Sequence, residues 1–145
     1  MSGAADDRLS RGWETLTRVN ATQSPRVVAE LDELAPDLAR FVVEFGYGDC
    51  YERPTLEPRH RQLVTIGALV AMGGCEAQLA VHVAVGLNVG LSPDEVVEAV
   101  MHALPYVGFP RTLNAVAVVR SVFERRGVWT SDAWRGEPLL PLDPT

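Results

Sequence analysis

The sequence predicts an all-α chain, a single-domain bundle of about six to seven helices that assembles into oligomers, and three observations carry that prediction. Apolar residues recur at helical spacing along most of the chain. No stretch alternates apolar and polar residues in the way a half-buried strand does. Ser92-Pro93-Asp94-Glu95 combines a capping serine, a proline in the first turn and an acid three residues after the cap, the reciprocal capping box that starts a helix.

The elements follow in order. A first helix is expected from Asp7 to Asn20, burying Leu9, Trp13, Leu16 and Val19, with a break from Asn20 to Gln23. Ser24-Pro25 reads as cap and first-turn proline of a helix through Leu31 and Leu34, which Pro36 interrupts and restarts as far as Phe45. From Gly46 to Pro58, glycine, proline, aromatic and charged residues predict an ordered loop carrying Tyr47, Cys50, Tyr51 and Arg53, placed to close over a pocket. Arg59 to Met72 is almost without a polar face from Leu63 onward, so it is expected to be the most buried helix, covered in part by subunit contacts.

Gly73-Gly74 breaks the chain before a helix from Cys75 to Val89 that Gly90 ends. The capping box opens a helix from Pro93 to Leu104, which Pro105 ends or kinks. A last helix runs from Arg111 to Arg126, with Leu113, Val116, Ala117, Val119, Val122 and Phe123 as its apolar positions and Gly127 as its stop. The segment 128–145 holds Trp129, Trp134, Leu139, Leu140 and Leu142 and is too apolar for a solvating tail, so it is expected to be ordered.

Composition narrows the function. With 145 residues, 47% hydrophobic and 22% charged, the chain suits one domain with its own core. A net charge of −6 without a basic stripe disfavours nucleic acid or an anionic membrane as partner. All thirteen basic residues are arginine, which removes Schiff-base chemistry and lysine-dependent phosphate loops. The start of the chain lacks the pattern of a signal peptide and no long apolar run is free of charge and histidine, so a cytoplasmic location is expected. Cys50 and Cys75 form no pair at metal-ligand spacing and no disulfide framework.

The stretch richest in chemistry is Gly73 to His82. Cys75, Gln78 and His82 stand at i, i+3 and i+7, so one helical face carries a thiol, an amide and an imidazole among Leu79, Ala80, Val81 and Val83. Two readings stand. A histidine on an apolar helix is often a hydrogen-bonded core residue, and a lone cysteine a small buried hydrophobe. Against that, each unpaired buried polar group costs about 1–3 kcal/mol, and three on one face favour a site.

Phe45-Gly46-Tyr47-Gly48-Asp49, Arg53-Pro54 and Arg61-Gln62-Leu63-Val64-Thr65-Ile66 come in an order that resembles the carboxymuconolactone decarboxylase family. The resemblance continues through Gly74 to His82, Asn88-Val89-Gly90, the Ser92 capping box, His102, Tyr106-Val107-Gly108-Phe109-Pro110 and Asn114, over about residues 41–124. It implies an all-helical fold of the alkyl hydroperoxidase D type, assembly as homotrimers or homohexamers, and decarboxylases that need no metal or organic cofactor. Within the family the chain looks nearer the gamma-carboxymuconolactone decarboxylase branch.

The resemblance also implies roles. His82 and Cys75 stand where family chemistry is carried, with Gln78, His102 and Tyr106 as substrate-binding donors and Arg53 and Arg61 as grips for a carboxylate. Ordinary surface ion pairing is the other reading of the two arginines. The chain departs from the decarboxylase pattern at Cys75, Gln78 and Ala84, where arginine, glutamate and arginine are common, which points to a less charged small-molecule substrate. The leading expectation is a cofactor-independent lyase acting on a small lactone or enolisable carbonyl compound, with His82 moving the proton. In the family's thiol branch, Cys75 matches the first cysteine of Cys-x-x-Cys but Gln78 replaces the second. A single-cysteine thiol peroxidase using Cys75 and His82 is therefore one alternative, and a non-catalytic scaffold is the other.

Overall fold

A computed structural model describes residues 3–134, with side chains from Asp7 onward. All regular structure among these residues is helical: α1 (Gly3–Val19), α2 (Ser24–Leu34), α3 (Pro36–Phe41), a π-helical segment (Val42–Tyr51), α4 (Pro58–Met72), α5 (Glu76–Asn88), α6 (Pro93–Val107) and α7 (Phe109–Arg126). The all-α fold is therefore as the sequence predicts. Tertiary contacts gather the chain into two compact units that divide between Gln62 and Leu63, inside α4.

In the N-terminal unit, Leu16, Val28, Ala39 and Val43 form the core, with Leu9, Leu31, Val42 and Tyr47 packed against it. The predicted break after α1 is present as a turn, where the Asn20 side chain accepts a hydrogen bond from the Gln23 backbone N–H at 3.2 Å. Ser24 opens α2 as a buried residue without capping it through its side chain. Ala35, with an extended-side ψ of 74°, separates α2 from α3 at Pro36 as expected. Trp13, expected in the buried stripe of α1, is 42% exposed, while Leu16 and Val19 are buried.

The first part of the loop expected from Gly46 to Pro58 is the second correction, since the loop spans only residues 52–57 and helical winding continues to Tyr51. Tertiary anchors hold it against the local preference of its glycines. Asp49 takes Arg8 in a two-point ion pair, and Glu52 accepts from Thr15 Oγ1 and Arg18 Nη2, both at 2.6 Å. Close approach makes these bonds reachable: a Cβ on Gly12 would lie 2.1 Å from the Val43 carbonyl oxygen, and one on Gly48 would lie 2.9 Å from the Arg8 carbonyl oxygen. Thr15 and Arg18, more than the loop composition, decide the conformation of Glu52, whose carboxyl they hold below the usual range.

In the C-terminal unit, Ile66 and Val70 of α4, Leu79 and Val83 of α5, Val96 and Val100 of α6, and Ala115, Val119, Val122 and Phe123 of α7 form one core. The capping box is complete: the Glu95 N–H donates to Ser92 Oγ at 3.1 Å and the Ser92 N–H donates to Glu95 Oε2 at 2.8 Å. α6 runs past Pro105 to Val107, further than predicted. Pro105 lies on the exposed side one turn from the end, where a missing N–H costs little, and the Gly108 N–H still reaches the Leu104 carbonyl at 3.0 Å. Gly127 ends α7 in a left-handed conformation.

α4 is not the most buried helix of the chain. Val64 and Met72 are each 65% exposed, whereas α5 buries Leu79, Val83, Ala84, Val85 and Gly86. Leu113 and Val116 of α7, read as core, are also exposed. Of the C-terminal segment, Trp129 packs edge-on against Phe123 with ring centroids 6.2 Å apart, and Arg120 lies over its ring. Leu139, Leu140 and Leu142 lie outside the described residues.

The Gly12 contact yields a test. Gly12→Ala forces a Cβ into the Val43 carbonyl and is expected to destabilise the chain by about 3 kcal/mol, whereas Gly46→Ala, with open space around it, changes stability by under about 1 kcal/mol. Chemical denaturation of the two variants checks this, and equal midpoints contradict it.

Candidate active site

Gly73 and Gly74 both hold φ of 67° and turn the chain out of α4 into α5. This left-handed pair sets where α5 begins and leaves Cys75 as its N-cap, with φ −118° and ψ 32°. Cys75 is thus just outside the helix, and its thiol donates to the Gly73 carbonyl at 3.4 Å instead of capping the first turn. Both cysteines are free thiols, Cys50 exposed and Cys75 partly buried.

His82 lies within α5, one turn beyond Gln78. The i, i+4 spacing keeps these two side chains on neighbouring turns of one face, with Gln78 exposed and His82 partly buried. Burial pushes the His82 imidazole below its ordinary value near 6.5, so the ring is neutral at pH 7. A neutral imidazole in a poorly hydrated setting exchanges a proton when a nearby charge changes, which is the property a proton carrier requires.

Cys75 borders a tight cleft with Leu69, Val70, Gly73, Glu76, Leu79, Arg111, Asn114 and Ala115. Sequence reasoning missed Arg111 there. Its guanidinium arm lies against Gly73, where an added Cβ would come within 3.0 Å of Nε. The only signal for it was its place directly after Gly108-Phe109-Pro110, at the mouth of α7.

His102 and Tyr106 lie elsewhere in the unit. They line an open groove of about 530 Å³ between α4 and α6, with Leu63, Gly67, Ala71 and Glu98 among its walls. Their rings meet at 6.0 Å between centroids, and Tyr106 is 80% exposed. Neither His82, Cys75 nor Gln78 lines that groove. Cys75 thus borders one cleft, while His102 and Tyr106 line another groove.

Arg53 and Arg61 belong to the N-terminal unit. Arg61 donates from Nη2 to the Arg53 carbonyl and sits over the Tyr51 ring, with its guanidinium carbon 5.8 Å from the centroid. Tyr51 in turn accepts from Gln62 Nε2 at 2.6 Å. Arg61 thus fixes the turn at residues 51–53, a structural duty, while Arg53 is exposed. A groove of about 660 Å³ in this unit, bordered by Leu9, Trp13, Val28 and Val43, has no histidine or cysteine among the described residues of its wall. Among the described residues no helix is long and apolar enough to cross a membrane, and no group of three or more His, Cys, Asp or Glu side chains is placed to hold a metal ion.

Comparison with known proteins bears on this arrangement. The chain is 33% identical over 125 residues to a protein named 4-carboxymuconolactone decarboxylase from Acinetobacter baylyi, covering 85% of this chain and 92% of that protein. It is 30% identical over 79 residues, 54% of each chain, to nitrosuccinic acid decarboxylase npaB from Metarhizium robertsii. An uncharacterized 15.0 kDa protein from Paracoccus denitrificans is 26% identical over 116 residues, covering 79% of this chain and 87% of that one. The profile described as the carboxymuconolactone decarboxylase family matches residues 36–121, from α3 through most of α7. On that match and on the relative aligned along nearly its whole length, the chain belongs to the carboxymuconolactone decarboxylase family, in its decarboxylase branch.

Proposed function

We propose that this carboxymuconolactone decarboxylase-like enzyme removes carbon dioxide from a small lactone acid or enolisable carbonyl acid, with His82 carrying the proton and no cofactor involved. The observation that carries the reading is a partly buried imidazole on α5, its pKa lowered by that burial, in a chain whose relatives include two named decarboxylases. Before substrate arrives the imidazole is neutral, with one ring N–H, and an arriving carboxylate raises its pKa and loads a second proton from solvent. The carbon–carbon bond to the carboxylate then breaks, and its electron pair moves into the conjugated carbonyl as carbon dioxide leaves. The imidazolium gives its proton to a carbon of the resulting enolate and returns to the neutral state. Gln78, one turn away on α5, supplies an amide donor to the oxygen that gains charge.

Oligomerisation is part of the proposal. Val64, Met72, Phe109 and Leu113 are each more than 60% exposed on the C-terminal unit, an apolar surface that a subunit contact would cover. Trimers or hexamers are the assemblies expected. Sedimentation of the purified protein checks this, and a monomer at micromolar concentration contradicts it.

The pH dependence separates proton transfer through His82 from thiol chemistry. If the imidazolium is the acid, kcat/KM falls as pH rises through the lowered His82 pKa of the unliganded enzyme, below 6.5, while kcat holds to higher pH because bound carboxylate raises that pKa. Cys75→Ser leaves the profile in place, and loss of turnover in that variant favours the thiol reading. Stability carries the matching sign: the lowered folded-state pKa makes the His82 contribution complete above 6.5 and lost as pH falls through the folded value. His82→Gln is expected to flatten that slope in thermal melts.

A further inference from the structure

The α4–α6 side of the C-terminal unit carries an open apolar groove of about 530 Å³. Short side chains at helical spacing make its floor, with Leu63, Gly67 and Ala71 on α4 and Ala99, Ala103 and Val107 on α6. A Cβ added at Gly67 would meet nothing within 4 Å, so the space above the floor is open. Glu95 and Glu98 border the groove near the start of α6, and His102 and Tyr106 border it near the end. Tyr106 is 80% exposed, and its ring lies 6.0 Å from that of His102. The groove therefore has an acidic head, a methyl-lined floor and an aromatic far end.

The chain after α7 is tied down at that acidic head. The Val128 N–H donates to the Phe123 carbonyl at 3.1 Å, and Trp129 packs edge-on against the Phe123 ring. Ser131 then donates from its backbone N–H to Asp94 Oδ1 at 2.8 Å and from Oγ to Asp94 Oδ2 at 2.6 Å. Asp94 is the neighbour of Glu95 in the first turn of α6. Eleven residues, 135–145, follow outside the described residues and begin four positions after this anchor. Their sequence sets Pro138, Pro141 and Pro144 at every third position, with Leu139, Leu140 and Leu142 between them and Arg135 in front. Proline at a spacing of three favours the polyproline II helix, which has three residues per turn and loses little freedom on docking.

We propose that residues 135–145 dock along this groove of their own chain as a polyproline II segment, with Arg135 at the acidic head and the prolines running towards His102 and Tyr106. Two lengths agree. From Glu95 to Val107 the groove follows α6 for about 18 Å at 1.5 Å per residue, and Pro138 to Pro144 spans about 19 Å at 3.1 Å per residue. The charges agree as well: Arg135 comes first after the anchor, where Glu95 and Glu98 stand. Proline rings pack on exposed aromatic faces, and Leu139 and Leu142, one polyproline turn apart, share an edge that suits the methyl-lined floor. The segment acts as an intramolecular cover, tethered at a high effective concentration, that any other occupant of the groove must displace.

Methyl NMR on the full chain, labelled at its alanine and leucine methyl groups, tests the docking. Nuclear Overhauser contacts from Leu139 and Leu142 to Ala99 and Ala103 are expected. The double variant Leu139→Asp, Leu142→Asp should lose them and shift the Ala99 and Ala103 signals. A synthetic peptide of residues 135–145 added to that variant should return those signals saturably towards their wild-type positions, and the same peptide with Arg135→Glu should bind at least tenfold more weakly. Samples mixed from two differently labelled copies separate the sources, because docking within one chain gives no contact between copies. Absence of the contacts in the wild type, contacts found only between copies, unchanged Ala99 and Ala103 signals in the double variant, or equal binding of the charge-reversed peptide overturns the proposal. None of these readouts uses turnover, so they stand apart from those for His82.

Discussion

Two consecutive left-handed residues, Gly73 and Gly74, are the constraint on which the chemistry of the C-terminal unit depends. A side chain is disfavoured at both positions by backbone sterics, and at Gly73 also by the arm of Arg111. The turn they make fixes the first residue of α5, and with it the rotation of every side chain along that helix. Cys75 is thereby left at the N-cap and Gln78 and His82 are set one turn apart. A change of one residue in this turn would rotate α5 by about 100° and carry His82 to a different face.

Arginine chemistry runs through the whole chain, and its uses differ by neighbourhood. Arg8 and Arg18 tie α1 to the Asp49–Glu52 corner, Arg26 and Arg120 pair with glutamates one turn along their own helices, Arg40 pairs with Glu44 of the adjoining π-helical segment, and the Arg61 guanidinium supports a turn by donating to the Arg53 carbonyl. Such exposed pairs add little stability each. Their consequence is selectivity: a chain with a net charge of −6 keeps few cations available for anionic ligands.

Features closed by local bonds were legible in the sequence. The Ser92–Glu95 capping box, the interruption at Pro36 and the stop at Gly127 each depend on a few adjacent residues, and all three are where periodicity and turn chemistry put them. Features decided by distant partners were not. The π-helical winding through Gly46 and Gly48 depends on Arg8, Thr15 and Arg18 of α1, and the expected loop starts only at Glu52 for that reason. The exposure of Trp13, Val64 and Met72 likewise follows from how helices pack, which hydropathy alone does not encode. For the site, helical spacing gave the Gln78–His82 pair, but it placed Cys75 on the helix instead of at its cap, and it had no means of bringing Arg111 from α7 to Gly73.

The proton route through His82 is the central claim, and isotope labelling tests it most directly. Purified enzyme is incubated with 4-carboxymuconolactone in deuterium oxide and the product followed by proton and carbon NMR. The account predicts release of carbon dioxide with one solvent deuteron bound to carbon in the product, and an unreacted lactone with a folded His82→Gln variant. Turnover by that variant at the wild-type rate would contradict it.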